Sequence, residues 1–190
     1  NWKVGSYKKD IERATKLIKV AANSGSDAIK FQTYNPKTVY VPNAGKSKYL
    51  RKSGVDKNIF EIFQKYSMPH KMLKDLSIIC KKEKILFMST PFSVDDAIEV
   101  NKFVKIHKIA AFEINHVRLL EYLASTKKPI IISTGASNFS DIDFAVKLLK
   151  RKGVKTICLL QTTSKYPTPI ESLNLKAILE LKKRYQVPIG

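Results

Sequence analysis

The sequence of 190 residues has no long apolar run and only two cysteines. No run approaches the about 18–20 apolar residues that a membrane-spanning helix requires. The start of the chain lacks the charged segment and following apolar segment of a signal peptide. Cys80 and Cys158 fall in a predicted helix and a predicted strand, so we interpret them as buried thiols rather than a disulfide. These absences predict a cytoplasmic protein with no membrane partner.

Acidic side chains are scarce, because 16 Asp and Glu stand against 35 Lys and Arg, which gives a net charge of +19. Nucleic-acid-binding proteins usually concentrate basic residues on one face and interleave aromatic residues. Here the lysines are spread over nearly every predicted helix, so we expect no nucleic-acid partner. The positive field would still attract an anionic substrate. A hydrophobic content of 44% is enough for one sizeable core, which predicts a single domain over residues 1–190.

The sequence does contain a regular alternation of helical and strand patterns. Apolar residues recur at three- and four-residue spacing in the helical segments, and a short apolar run follows each of them. The predicted strands are Asp27–Gln32, Ile85–Ser89, Ile106–Phe112, Pro129–Ser133 and Thr156–Gln161, and Val187–Gly190 begins another. This alternation predicts parallel βαβ units. No Gly-x-Gly-x-x-Gly follows a strand, so the dinucleotide-binding fingerprint is absent.

Two α/β architectures fit this alternation, an open doubly wound sheet and a (β/α)8 barrel. A barrel needs about 250 residues and eight units. The pattern begins with a helix, continues through five complete strands and stops at the start of the next one. We therefore expect an incomplete (β/α)8 TIM barrel that lacks the first strand and the last units. The long segment Thr33–Met68 contains Asn35-Pro36 and Val41-Pro42 and is expected to be an excursion from the barrel.

Polar side chains stand at the carboxyl ends of the predicted strands, where a barrel would gather them around one mouth. They include Gln32, Thr90, Glu113, Ser133, Ser164 and Tyr166. Lys30 and Lys108 would point inward just below this mouth. Two inward lysines among hydroxyls favour a phosphate or carboxylate ligand. A single buried lysine could instead form a Schiff base with a carbonyl substrate, so a barrel aldolase or lyase is an alternative.

Strand alternation predicts where the residues of Ile106–Phe112 point. It places Lys108 and Phe112 on one face, and His107 and the following Glu113 on the other. His107 is therefore expected among helices, and His70 on the surface in the first turn of a helix. His116 follows Glu113 at the predicted mouth and could contact substrate there, although lone histidines are seldom catalytic without a partner.

Five short motifs occur in a consistent order and spacing. They are Lys30-Phe-Gln-Thr-Tyr34, Ser89-Thr-Pro-Phe92, Lys108-Ile-Ala-Ala-Phe-Glu113, Ile131-Ile-Ser-Thr-Gly135 and Leu159-Leu-Gln-Thr-Thr-Ser-Lys-Tyr-Pro-Thr-Pro169. Together they resemble the sialic acid synthase family, the N-acylneuraminate or nonulosonic acid synthases, which include the pseudaminic and legionaminic acid synthases. Each motif alone is weak, whereas five in register are a strong signal.

The resemblance implies an enzyme that condenses phosphoenolpyruvate with an N-acylated hexose, such as N-acetylmannosamine, to give a nonulosonic acid and phosphate. It implies that phosphoenolpyruvate is bound by Lys30, Lys108, Thr90, Ser133 and Ser164, and the sugar by Gln32, Glu113 and Tyr166. Glu113 and Lys108 would be the catalytic residues, with Glu113 handling protons at the condensing carbon.

The resemblance also implies a divalent metal, Mn or Mg, that polarises the sugar aldehyde as a Lewis acid. The family's histidine ligands follow strand seven, so we expect them beyond Gly190 and outside this chain. A full-length protein is expected to be a homodimer. The chain departs from the family pattern at Ala111, where serine is usual, and at Ser164, where asparagine is common. A non-catalytic basic binding module derived from a synthase is therefore a further alternative.

Overall fold

The computed structural model describes residues 5–47, 51 and 54–190. Part of the excursion expected at Thr33–Met68 lies outside the described residues. The chain divides into two compact units, Asn1–Phe103 and Val104–Gly190. One domain over residues 1–190 stays a prediction. No helix in the described part of the chain is long and apolar enough to cross a membrane.

The first unit alternates helices with two parallel strands. Its elements are α1 (Tyr7–Asn23), β1 (Ala28–Thr33), α2 (Pro36–Val39), α3 (Ile59–Tyr66), α4 (Lys71–Lys82), β2 (Leu86–Pro91) and α5 (Val94–Asn101). In the pairing of β1 with β2, Lys30 lies opposite Met88 and Gln32 lies opposite Thr90. Both strands therefore present their carboxyl ends at the same edge of the sheet.

Local sequence signals set the limits of these helices. The Ser93 hydroxyl accepts a hydrogen bond from the backbone N–H of Asp96 and caps α5, as the sequence predicts. Gly25 adopts a φ of +79° just after α1, in the left-handed region that favours glycine. On α4, Met72, Leu73 and Leu76 are fully buried. Each such side chain contributes roughly 1.5–3 kcal/mol by leaving water.

An aromatic cluster holds the excursion against the carboxyl ends of β1 and β2. The ring of Tyr34, next after β1, lies 5.0 Å from Phe63 on α3 and 5.8 Å from Phe92, next after β2. Tyr40 lies 4.6 Å from Phe63. Ring pairs at these spacings add about 0.5–1.5 kcal/mol beyond their burial. The described part of the excursion is thus anchored beside the edge where Gln32 and Thr90 end their strands.

The second unit carries a three-stranded parallel sheet in the order β3, β4, β5. Its elements are β3 (His107–Ile109), a 3₁₀ turn (Ala111–Glu113), α6 (Val117–Ser125), β4 (Ile130–Ser133), α7 (Phe139–Arg151), β5 (Ile157–Leu160), a second 3₁₀ turn (Ile170–Ser172) and α8 (Ala177–Arg184). Lys108, Ile131 and Cys158 stand side by side in register. Paired residues share a face, so Cys158 lies on the Lys108 face of the sheet.

The opposite face of this sheet is apolar. Ile109, Ile130, Ile132 and Leu159 are almost completely buried on it, together with His107. Asn138 caps α7 through a reciprocal capping box with Asp141. Beyond α8, the backbone N–H of Gly190 donates to the carbonyl of Leu159 at 2.9 Å, and Ile189 bridges Leu159 in parallel. Of the strand start predicted at Val187–Gly190, the structure shows an isolated bridge at Ile189 and no regular strand.

Two sequence predictions of secondary structure are wrong in extent. The strand predicted at Ile106–Phe112 ends at Ile109, because the chain turns and the N–H of Glu113 donates to the carbonyl of Ala110 at 3.0 Å. Phe112 is consequently 75% exposed rather than inward, and Glu113 lies on a 3₁₀ turn. The apolar spacing from Leu173 to Tyr185 likewise predicts one helix, but α8 begins only at Ala177, after a separate 3₁₀ turn.

Candidate active site

Lys30 and Gln32 share the exposed face of β1, while Phe31 and Thr33 between and after them are buried. The inward position expected for Lys30 in a barrel stays a prediction; in the first unit its side chain is open to solvent. Desolvation by the surrounding protein nevertheless lowers the pKa of Lys30 below its ordinary value. A ligand can reach an amine in this position. A bound anion would compensate the charged amine for the hydration that it has lost.

Thr90 presents a buried hydroxyl on the same face as Lys30 and Gln32. It is 2% exposed, and its Oγ1 makes no hydrogen bond with any described residue. Buried hydroxyls are normally paired, because an unpaired one costs about 1–3 kcal/mol. On the other face of the same strands, the hydroxyls of Thr33 and Ser89 pair with one another at 2.7 Å. The hydroxyl of Thr90, which the family resemblance assigns to a ligand, is thus one of the buried polar groups that the described residues leave unpaired.

Lys108 is the buried lysine of the second unit, at 6% exposure. Its Nζ donates to the hydroxyl of Ser133 at 2.7 Å and to the carbonyl of Ile109 at 2.6 Å. Because Ser133 ends β4 on the Lys108 face, the two predicted phosphoenolpyruvate ligands of this sheet are in direct contact. An ammonium held in this way is a fixed positive charge at the carboxyl end of the sheet.

Glu113 lies just past the end of β3, and its carboxylate Oε2 is 3.1 Å from Nδ1 of His116. The side chain of Glu113 is 18% exposed and that of His116 is 36% exposed. The 3₁₀ turn places Glu113 in the loop at the strand's carboxyl end, although it no longer belongs to the strand. Sequence reasoning left His116 without a partner, and the three-residue spacing from Glu113 is the signal that it missed.

Ser164 lies in the loop after β5, close to the end of β4. A Cβ built on Gly135 would come within 2.9 Å of the Ser164 hydroxyl and 2.8 Å of both the carbonyl and the hydroxyl of Thr162. The N–H of Gly135 donates to that Thr162 hydroxyl at 3.0 Å. Glycine is thus required for the loops after β4 and β5 to approach this closely. Thr162 joins these loops and was not singled out from the sequence.

Tyr166 is 80% exposed in the same loop and is placed at the surface of the second unit. The sequence-predicted residues therefore form two sets. Gln32, Lys30 and Thr90 share one face of the first unit's sheet, and Lys108 contacts Ser133 in the second unit. Ser164 lies beside Gly135, two residues past Ser133.

The other two histidines, His107 and His70, form hydrogen bonds that stabilise the fold. His107 is fully buried and its Nε2 pairs with the hydroxyl of Thr126 at 3.1 Å, as expected for a histidine packed among helices. Burial, helped by the positive charge of Lys128, lowers the pKa of His107 to about 4. His70 precedes α4 and its Nε2 lies 2.9 Å from a carboxylate oxygen of the fully buried Asp96.

The thiol of Cys158 shares the Lys108 face and is free, as is that of Cys80. Burial raises the pKa of Cys158, and the charge of Lys108 opposes this only in part. The thiol is therefore a poor nucleophile at neutral pH. Across residues 5–47, 51 and 54–190, no group of three or more His, Cys, Asp or Glu side chains is placed to hold a metal ion. The described residues thus do not fit a metal site.

Comparison with known proteins gives one consistent family. Residues 17–190 match the NeuB family. The chain is 36% identical over 185 residues to an N,N'-diacetyllegionaminic acid synthase of Campylobacter jejuni, covering 95% of this chain and 55% of that protein. It is 33% identical over 183 residues to a pseudaminic acid synthase of the same organism, covering 95% and 53%.

A solved structure agrees with these relatives. The N-acetylneuraminic acid synthetase of Leptospira borgpetersenii, crystallised in complex with citrate, matches with a TM-score of 0.83 and 31% identity, over 95% of this chain and 59% of that one. The chain spans about half the length of the curated relatives that it matches. The fold is α/β with parallel strands, and the motifs expected of a sialic acid synthase lie at the ends of those strands. This chain belongs to the NeuB family.

Proposed function

We propose that this chain carries the phosphoenolpyruvate-binding part of a nonulosonic acid synthase. The enzyme would condense phosphoenolpyruvate with an N-acylated hexose and release phosphate. Its named relatives make N,N'-diacetyllegionaminic, pseudaminic and N-acetylneuraminic acids or their phosphates, all of them sugars of the nonulosonic class. The acceptor is accordingly an N-acylated hexose, with N-acetylmannosamine and related deoxy sugars as the candidates to assay.

The observation that carries the proposal is the contact between Lys108 and Ser133. A buried ammonium is costly unless charge or strong hydrogen bonds compensate it. Here it donates to a neighbouring hydroxyl and a carbonyl at the carboxyl end of a parallel sheet. Carboxylate and phosphate are the groups that such a lysine and hydroxyl bind best. Phosphoenolpyruvate carries both groups on one carbon skeleton.

The first unit supports the same ligand independently. Lys30 is accessible and partly desolvated, and the unpaired hydroxyl of Thr90 lies on the same face of the sheet. An anion that accepted hydrogen bonds from both groups would satisfy the hydroxyl and favour the charged form of the lysine. Gln32, opposite Thr90 in the ladder, can donate to or accept from a sugar hydroxyl or acetamide.

The chemistry assigned to these residues is bond formation between C3 of phosphoenolpyruvate and the open-chain aldehyde of the sugar. Water adds at C2, and the phosphate leaves with its electron pair. Lys108 neutralises the anion, which lowers the cost of the charge that the departing phosphate carries. The family resemblance alone assigns Lys30 to the same ligand. Glu113 handles protons at the condensing carbon, Ser164 joins the phosphoenolpyruvate ligands, and Tyr166 contacts the sugar.

The finer architecture belongs to this proposal too. We expect the parallel strands to be those of a (β/α)8 barrel in the whole enzyme, and the enzyme to be a cytoplasmic homodimer. Mn or Mg would polarise the aldehyde. The family resemblance implies that the metal's ligands are histidines beyond Gly190.

The test is phosphate release from phosphoenolpyruvate in the enzyme that contains this chain, measured with each candidate sugar and with Mn or Mg present. Lys108→Met should abolish turnover, because the charge and the hydrogen bond to Ser133 disappear together. Lys105→Met is the matched control, since Lys105 is exposed three residues earlier, and it should leave turnover unchanged. Equal turnover in both variants would overturn the proposal.

A Schiff-base aldolase is the second candidate, and the lowered pKa of Lys30 favours it because a neutral amine is the nucleophilic form. Borohydride reduction in the presence of a keto acid distinguishes the two. The synthase proposal expects no adduct, whereas trapping that disappears in Lys30→Met would establish the aldolase.

A further inference from the structure

We propose that His116 is a positioning residue for Glu113, holding its carboxylate in one orientation. This inference rests on the proposed function, in which Glu113 handles protons at the condensing carbon. Sequence reasoning gave the histidine no partner. The structure gives it one at 3.1 Å, between Nδ1 of His116 and Oε2 of Glu113.

The direction of this hydrogen bond follows from its chemistry. An ionised carboxylate only accepts, so Nδ1 of His116 must carry the proton. The bond therefore selects one imidazole tautomer and leaves Nε2 as the unprotonated nitrogen of the neutral ring. Neither Nε2 of His116 nor Oε1 of Glu113 makes a hydrogen bond with another described residue. One carboxylate oxygen is thus held by the histidine, and the other is available to a reacting molecule.

The backbone makes the pair rigid. Glu113 is the last residue of a 3₁₀ turn, and its N–H donates a hydrogen bond to the carbonyl of Ala110. The N–H of His116 donates to the carbonyl of Glu113 at 3.0 Å. The carbonyl of His116 in turn accepts a hydrogen bond from the N–H of Leu120, and this bond closes the first turn of α6. Three backbone hydrogen bonds therefore hold the main chain that carries the two side chains.

The surrounding charges do not compete for this carboxylate. Between the two residues, Asn115 donates to the carboxylate of Asp141 on α7 at 3.0 Å, which ties the loop to the next helix. Asp141 is itself engaged in the capping box. Arg118, on α6, is exposed to solvent. Glu113 keeps His116 as its bonded partner among the described side chains.

The test is a double-mutant cycle on kcat in the enzyme that contains this chain. His116→Leu should lower kcat by roughly tenfold to a hundredfold with little change in KM for phosphoenolpyruvate, since a misplaced catalytic group costs rate of this order. His116→Asn should recover most of the loss, because the amide Nδ2 occupies the place of the imidazole Nδ1 and donates as it does. In a Glu113→Gln background, His116→Leu should cost nothing further.

Three results would overturn the inference: an unchanged kcat in His116→Leu, a full additional loss in the Glu113→Gln background, or failure of His116→Asn to rescue. The hydrogen bond between His116 and Glu113 is tested separately by NMR, through the nitrogen chemical shifts of the His116 ring. They should report a proton on Nδ1 in the wild type and lose that preference in Glu113→Gln. A wild type that shows this tautomer without releasing phosphate would overturn the proposed function and the role with it, while leaving the pair established.

Discussion

At the scale of single residues, the polar groups of this chain differ in whether their partners are supplied by the fold. Thr33 and Ser89 satisfy one another, and Asp96 is satisfied by His70 and the hydroxyl of Ser93. Thr90 has no such partner among the described residues. Thr33, Ser89, Asp96 and Thr90 are all buried to a similar degree, so the missing partner of Thr90 is consistent with the ligand role proposed for it.

His107 should make the protein less stable as the solution becomes acidic. Its pKa is about 4 in the folded protein and about 6.5 in an unfolded chain, so the unfolded state takes up the proton first. The stabilisation is complete above the unfolded pKa and is lost as the pH falls towards 4, at an upper bound of roughly 3 kcal/mol.

The measurement is the free energy of unfolding of wild type and of His107→Gln between pH 7 and pH 4. The carboxylates contribute equally to both proteins, so the difference isolates His107. The stability of the wild type should fall more steeply than that of the variant. Parallel curves would contradict the assignment of a buried neutral imidazole.

His70→Ala should destabilise the protein by about 1–3 kcal/mol, because it removes one of the donors to the fully buried Asp96 carboxylate. His70→Gln is the matched control, since its terminal amide can donate from nearly the same place as Nε2. Urea unfolding of the two variants checks this. If both lost the same stability, the hydrogen bond to Asp96 would not be the cause.

At the scale of elements, the sequence predicts the strands and helices whose ends carry a local signal. Ser93 before α5 and Asn138 before α7 cap their helices as the residue types predict. The end of β3 could not be predicted, because Ala110 to Phe112 are apolar and would suit a strand equally well. The turn depends on the backbone bond from Glu113 to Ala110, which periodicity does not reveal.

The candidate site divides in the same way. Lys108 and Ser133 were assigned from the resemblance, and their contact follows from the parallel register of β3 and β4. The exposure of Lys30 and the pairing of His116 depend on where a strand edge and a turn lie in space. Alternation along a strand gives the face of a side chain but not how much protein covers that face.

Gly135→Ala should weaken the binding of phosphoenolpyruvate through the loop after β5. The added Cβ would meet the backbone carbonyl of Thr162 at 2.8 Å, so that loop and the Ser164 it carries must move. Ala136→Gly, at the next position, is the control, because Ala136 has a φ of +55° that glycine adopts more easily. Calorimetric titration should show a loss of affinity in the first variant only; equal affinities would mean that the loop is not held by this contact.

At the scale of the whole molecule, the excess of 19 positive charges is distributed rather than concentrated. Many exposed lysines, including Lys8, Lys9, Lys81 and Lys82, lie on helices of the first unit. Such a field attracts small anions from every direction and is screened beyond about 8–10 Å at physiological salt. A distribution of this kind is compatible with the anionic ligand proposed above.

The measurement that tests the central claim most directly is calorimetric titration of phosphoenolpyruvate into wild type, Lys108→Met and Lys105→Met. Binding needs no sugar and no turnover, so it isolates the anion site. We expect saturable binding in the wild type and in Lys105→Met. In Lys108→Met the affinity should be lower by about thirtyfold or more, since a charge-assisted hydrogen bond contributes about 2 kcal/mol or more. Absence of binding in the wild type, or equal affinity in all three proteins, would contradict the account.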